Sequence, residues 1–199
     1  NHDFWWECER YMNTDWIPYF EKYFPPQDKD FYKHVTINTL AQKQFHDHYG
    51  YESMVIGDSF DYTHVPSKND GYASHWRPDF GLNKNDLIFL QATRIVPRKQ
   101  IELAIDLIKK LQNPNIVLVL AGYNGDEGTE YLAYLQYLIK KAGIRSLFLG
   151  DRIKPRREIK NNQRFYTLWD CFSNCDFVTY PSSFEGFGNQ FIEAINFYK

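Results

Sequence analysis

Leu87-Ile-Phe-Leu90, then Thr93-Arg-Ile-Val-Pro-Arg-Lys99, then Ile101 to Leu111 form the stretch that decides the fold. The opening apolar run fits a buried strand. Ile101, Ala104, Ile105, Ile108 and Leu111 then recur at helical spacing, opposite Glu102, Asp106, Lys109 and Lys110. The same alternation continues downstream. Ile116 to Ala121 predicts a second buried strand, ended by Gly122, and Tyr131, Leu135, Leu138 and Ala142 predict a helix closed by Gly143. Ser146 to Leu149 reads as a third strand, Phe165 to Cys175 as a helix, Phe177 to Tyr180 as a fourth strand and Asn189 to Tyr198 as a last helix. Repeated strand–helix units of this length make a parallel sheet with helices on both faces.

Upstream the pattern is less regular. His34 to Asn38 and Met54 to Ile56 are candidate strands around a polar helix from Leu40 to Tyr49, a second and incomplete α/β unit. The polar stretch from Pro66 to Asn85, with Gly71, Pro78 and Gly81, reads as the connection between units. The expected organisation is therefore residues 1–80 as the end of one domain with its linker, and 81–199 as a second domain. The chain opens on Asn1 and stops at Lys199 inside a helical pattern, so it is expected to be a fragment cut at both ends.

Composition narrows the function. A net charge of −2 and a pI near 6.3 argue against a nucleic-acid footprint. No apolar run is long enough to span a bilayer. Three cysteines suit reduced thiols in a cytoplasmic protein better than a disulfide framework.

Two segments carry chemistry, each following a strand and preceding a helix, where open parallel sheets bind ligands. Arg94 and Lys99 flank a Pro-containing turn beside a helix start. Arg forks two oxygens and Lys adds a point charge, which together with backbone N–H groups suits a pyrophosphate; a turn with solvated charges is the alternative. In Ser183-Phe-Glu-Gly-Phe-Gly-Asn-Gln-Phe-Ile-Glu193, Gly186 and Gly188 let backbone approach a ligand closely, and Gly188 or Asn189 would cap the helix. Glu185 and Glu193 can each accept from paired hydroxyls of a ribose or hexose. Acidic residues placed to suit the helix dipole are the alternative.

Glu185 and Glu193, with seven residues between them and Pro181-Ser182-Ser183 before them, resemble the E-x7-E signature of retaining glycosyltransferases of family 4. Arg94 and Lys99 are similar in order and context to that family's pyrophosphate-binding pair. His2-Asp3-Phe4, Ile37-Asn-Thr39 and Val55 to Asp61 also resemble segments of its N-terminal domain, although Gly57-Asp58-Ser59 departs from the family's frequent Pro-Asn-Gly. The resemblance implies a GT-B-type α/β fold of two Rossmann-like domains, the N-terminal one incomplete and the C-terminal one truncated. It also implies hexosyl transfer from a nucleotide-diphosphate sugar to an acceptor hydroxyl, with no metal required. By position, Arg94 and Lys99 would hold the diphosphate and stabilise its leaving charge. Glu193 would bind the ribose and Glu185 the transferred sugar, positioned with Gly186, Phe187, Gly188 and Asn189. His2 would face the reacting sugar.

Other candidates have plainer readings. Asp28-Lys29-Asp30 has the form of a metal-binding D-x-D but sits in a polar loop after Pro25-Pro26. Cys171 and Cys175 read as core or surface thiols without a completing zinc set. His46 and His48 point about 200° apart on a helix and do not make a metal pair. Gly122-Tyr-Asn-Gly125 lacks the dinucleotide fingerprint. Lys154, Arg156, Arg157, Lys160 and Arg164 read as a solvated loop and helix face, with contact to an anionic membrane as the alternative. Trp5, Trp6 and Tyr11 fit either a core or an acceptor cleft. A non-catalytic nucleotide-sugar-binding module and another GT-B enzyme, such as a nucleotide-sugar epimerase or a phosphorylase, are the competing functions; no cofactor lysine setting of a phosphorylase is visible. The sugar, the base and the acceptor are not legible.

Overall fold

A computed structural model of the chain describes residues 4–7, 12, 14–25, 31–64, 67, 69–123 and 129–199. Its contacts divide into two units, Asn1–Ser59 with Glu185–Gly188, and Phe60–Phe184 with Asn189–Lys199.

The first unit contains α1 (Ile17–Tyr23), β1 (His34–Thr36), α2 (Thr39–Tyr49) and β2 (Ser53–Val55), with β1 and β2 parallel. Asn38 starts α2 by accepting the Ala41 N–H at 2.7 Å, and Gly50, with φ 71°, ends it in the left-handed conformation that costs glycine least. Phe4, Ile37, Ala41 and Phe45 are its buried core, with Trp6, Tyr49, Tyr51 and Phe187 packed against them. Trp6 stacks on Phe4 with centroids 4.5 Å apart and so packs on this core. Tyr11 lies outside the described residues.

The second unit opens with a 3-10 turn, Ala73–His75, and α3 (Trp76–Asp79). Then follow β3 (Leu87–Gln91), α4 (Ile101–Leu111), β4 (Ile116–Leu120), α5 (Glu130–Ala142) and β5 (Arg145–Phe148). The unit closes with β6 (Glu158–Lys160), β7 (Gln163–Phe165), α6 (Leu168–Asn174), β8 (Phe177–Val178) and α7 (Asn189–Asn196). Among the described residues β5-β4-β3-β8 form a parallel sheet in that order. Side chains alternate across a strand, so Ile88, Leu90, Val117 and Val119 face one layer and Phe89, Leu118 and Leu120 the other. The apolar stripe of α4 and Leu135 and Ile139 of α5 cover the second face; Cys171 and Phe172 of α6 and Ala194 of α7 cover the first. Burying one such Leu or Ile side chain contributes about 1.5–3 kcal/mol, which is what commits both helix layers to the sheet. Burial raises the thiols of Cys171 on α6 and of Cys175 just after it, Cys175 to about 12, so both are protonated core residues. No helix among the described residues is long and apolar enough to cross a membrane.

Two expectations need correction. The helix expected from Phe165 starts at Leu168, because Thr167 and Asp170 close a reciprocal capping box there. Phe165 instead ends a β-hairpin, β6–β7, whose two-residue turn Asn161-Asn162 has positive φ at both positions (51° and 59°). The stretch from Pro66 to Asn85 is not a loose connection: Trp76 is 0% exposed, and Phe60, Tyr72 and Phe80 pack on the second unit's core.

Candidate functional site

Arg94 and Lys99 leave the carboxyl end of β3 on a turn that the fold pins at several points. Ile95 N–H donates to Tyr123 O at 2.9 Å, tying the turn to the segment after β4. Gly122 passes so close that a Cβ there would lie 1.7 Å from Thr93 O, so only glycine fits. Pro97–Lys99 is a 3-10 turn, and Gln100 takes a left-handed φ of 45° before α4 begins. Such a conformation costs a non-glycine residue on the order of 1–2 kcal/mol and is concentrated at functional sites. Lys99 is buried, at 6% exposure.

The second motif segment is tied directly to this turn. Ser183 N–H donates to Arg98 O at 3.0 Å, the Ser183 hydroxyl to the same oxygen at 3.1 Å, and Arg98 Nη1 to Phe184 O at 3.2 Å. Sequence positions some eighty-five residues apart therefore lie side by side at the carboxyl edge of the sheet. Glu185–Gly188 group with the first unit, where Asn38 Nδ2 donates to Gly186 O at 2.8 Å and Phe187 joins the core. Asn189 and Glu193 sit on α7, Asn189 as its first residue. His2 lies outside the described residues, as does Asp28-Lys29-Asp30.

Glu193 is electrostatically unusual. Burial alone lifts its carboxyl above the ordinary carboxylate range, and no hydrogen bond or neighbouring charge among the described residues offsets that. A group held this way contributes most to stability below its unfolded pKa, and that contribution is lost as pH rises through the raised folded value. Glu193→Gln is therefore expected to unfold at a higher temperature than the parent at pH 7, with the gap closing towards pH 4. Scanning calorimetry across pH checks this; a Gln variant no more stable than the parent at pH 7 would sink it.

Beside the turn lies a cleft of about 710 Å³, lined by Arg94, Gly122, Tyr123, Lys154, Arg156, Arg157, Ile153, Leu168 and Trp169 among others. Its far wall is the basic segment that the sequence suggested to be a solvated face. The hairpin places that segment: Arg157 forks the fully buried Asp170 at 3.0 and 3.2 Å through Nε and pairs with Asp70 at 2.9 Å. Arg164 pairs with Asp79 at 3.5 Å. The cleft is lined by the apolar Ile153, Leu168 and Trp169 together with the cationic Arg94, Lys154, Arg156 and Arg157, which suits a ligand with an apolar and an anionic part. A signal for the hairpin was present as Asn161-Asn162 between β-type runs; the wall's position was not, because Asp170 and Asp70 are remote partners.

The family model for glycosyl transferases group 1 matches residues 73–199. The chain belongs to this family. Mannosylglucosylglycerate synthase of Petrotoga mobilis is 37% identical across 98% of the chain and 49% of that protein. The Thermotoga maritima protein of the same name is 32% identical across 98% and 47%. The chain thus spans about half the length of the curated relatives it matches. Among solved structures, a Rickettsia africae glycosyltransferase superposes with TM-score 0.67 at 15% identity, over 91% of this chain and 46% of that one. HepE of Anabaena in complex with UDP-glucose gives 0.65 at 20%, over 83% and 42%. These likenesses show the α/β fold of GT-B type. Its family membership accounts for the second unit's parallel sheet and the placement of both motif segments at one edge.

Proposed function

We propose that the protein acts as a retaining glycosyltransferase of family 4, moving a hexose from a nucleotide-diphosphate sugar to an acceptor hydroxyl. The observation that carries this is the hydrogen-bonded join of the Arg94–Lys99 turn to Ser183–Phe184 at the carboxyl edge of the sheet. Arg94 and the buried Lys99 are the diphosphate ligands in this reading. Glu193 takes the ribose hydroxyls. The cleft behind Arg94 takes the base on Ile153, Leu168 and Trp169. Glu185 contacts the transferred sugar, with Gly186, Phe187, Gly188 and Asn189 positioning it, and His2 faces the sugar as the family resemblance implies. The bond from C1 to the diphosphate oxygen breaks with its electron pair leaving on the diphosphate. The acceptor oxygen bonds C1 from the same face, and its proton passes to the departing diphosphate. Binding that favours the leaving charge over the ground state is what accelerates such a step.

The curated relatives' shared name supports a finer reading. A product of that composition arises when a mannosyl unit is joined to a hydroxyl of glucosylglycerate, so mannose is the proposed hexose and glucosylglycerate the proposed acceptor. Calorimetric titration with UDP, GDP and ADP, followed by product detection with GDP- or UDP-hexoses and glucosylglycerate, tests both levels. Binding of one diphosphate with transfer to glucosylglycerate is the expected result. Binding without transfer to any acceptor or to water would reduce the protein to a nucleotide-sugar-binding module, and absence of binding by all three would overturn the donor site.

A further inference from the structure

A chain of buried polar side chains crosses the second unit beneath the two motif segments. Gln91 Nε2 donates to Thr93 Oγ1 at 2.7 Å, Thr179 Oγ1 donates to Gln91 Oε1 at 2.7 Å, and Gln190 Nε2 donates to Thr179 O at 3.0 Å. All four residues are buried, Gln91 at 0% exposure. They come from the end of β3, the turn after it, the segment after β8 and the first turn of α7. Thr93 immediately precedes Arg94, and Gln190 lies one helical turn before Glu193.

Nothing in the packing requires polarity here. The surrounding positions of β3 and β4 are apolar, and a Leu at Gln91 with Val at Thr93 and Thr179 would fill comparable volume without any desolvation cost. What an apolar trio lacks is direction. Hydrogen bonds near 2.7 Å fix both the distance and the rotation of the groups they join, whereas methyl contacts tolerate sliding. The chain therefore holds the backbone that carries Arg94 in register with the helix that carries Glu193.

We propose that Gln91 and Thr179 are positioning residues of the donor site, setting Arg94 against Glu193 through Thr93 and Gln190. This rests on the donor-site reading given above. Neither residue touches the donor; each acts through the segment it orients. A diphosphate and a ribose are joined by a fixed number of bonds, so their two protein partners must keep a fixed spacing, and misplacement on the order of 1 Å costs up to about 100-fold.

The test separates positioning from stability. In the variant Q91L/T93V/T179V the three side chains that bond one another become apolar together, which is close to neutral for stability when shapes match, while Gln190 keeps its bond to the Thr179 backbone carbonyl. The purified protein is titrated with UDP, GDP and ADP, its melting temperature is recorded, and kcat and KM are measured with the donor it uses. The expected result is an unchanged melting temperature with nucleotide affinity lowered about tenfold and KM for donor raised more than kcat is lowered. Thr179→Val alone should show the same direction, and Thr179→Ser, which keeps the hydroxyl, should restore parent affinity. Parent-like affinity in the triple variant, or in Thr179→Val if the triple variant does not fold, overturns the proposal. So does equal loss in Thr179→Ser and Thr179→Val. Arg94→Ala serves as the control: if the parent binds none of UDP, GDP and ADP, the donor reading itself has failed, whereas binding that Arg94→Ala loses and the relay variants keep removes only the positioning role.

Discussion

With Arg94 holding the donor diphosphate as proposed, Arg94→Ala is expected to lower kcat by about 10²–10³-fold, the loss typical when one preorganised charge-stabilising group is removed from a site. The residue stands at the carboxyl end of β3 on the wall of the cleft, and its turn is held by Ile95, Gly122 and the Ser183–Arg98 bonds. The backbone that carries the guanidinium is thus held in place before negative charge builds on the departing diphosphate of the proposed reaction. Nucleoside diphosphate affinity should fall as well, by less than kcat, because the charge it meets is larger in the transition state than in the bound donor. Arg94→Lys is expected to recover only part of the loss, since an ammonium cannot fork two oxygens. Steady-state kinetics with titration of the diphosphate make the comparison. A kcat within threefold of the parent for Arg94→Ala would remove it from the site.

Gly122→Ala should be the most damaging single methyl in the second unit. The added carbon would stand 1.7 Å from Thr93 O and 2.6 Å from Thr93 C, both backbone atoms that cannot swing aside. Either the segment after β4 or the Thr93–Arg94 turn must move, and the Ala121–Gln91 and Ile95–Tyr123 hydrogen bonds resist both. Overpacking of this kind costs roughly 1–3 kcal/mol and more where backbone must shift. In a chain of this size that lowers the melting temperature by roughly 2–12 °C. Any protein that still folds should bind the diphosphate at least tenfold more weakly, because the displaced turn carries Arg94. Thermal unfolding with and without nucleotide separates the two effects. Parent-like melting and binding together would show that the close approach at Gly122 is not required.

The amino-acid sequence by itself determined the parallel α/β architecture of the second unit. Apolar runs at 87–91 and 116–120 and the stripe from Ile101 to Leu111 are local patterns whose burial permits few arrangements. It also located the Arg94–Lys99 and Ser183–Glu193 segments, because each sits between a strand and a helix, and Glu193 was legible as a member of that motif. The tertiary structure alone decided the rest. Arg157 lines the cleft where Asp170 and Asp70 hold it, and Trp76, Tyr72 and Phe80 become part of the second unit's core although the local pattern read their stretch as a connection. Gln91 and Thr179, eighty-eight positions apart, read singly as polar exceptions in apolar strands; their meaning comes from meeting. A local pattern records which face of an element is buried, whereas hydrogen bonds and charge pairs between distant segments depend on where the folded backbone brings them.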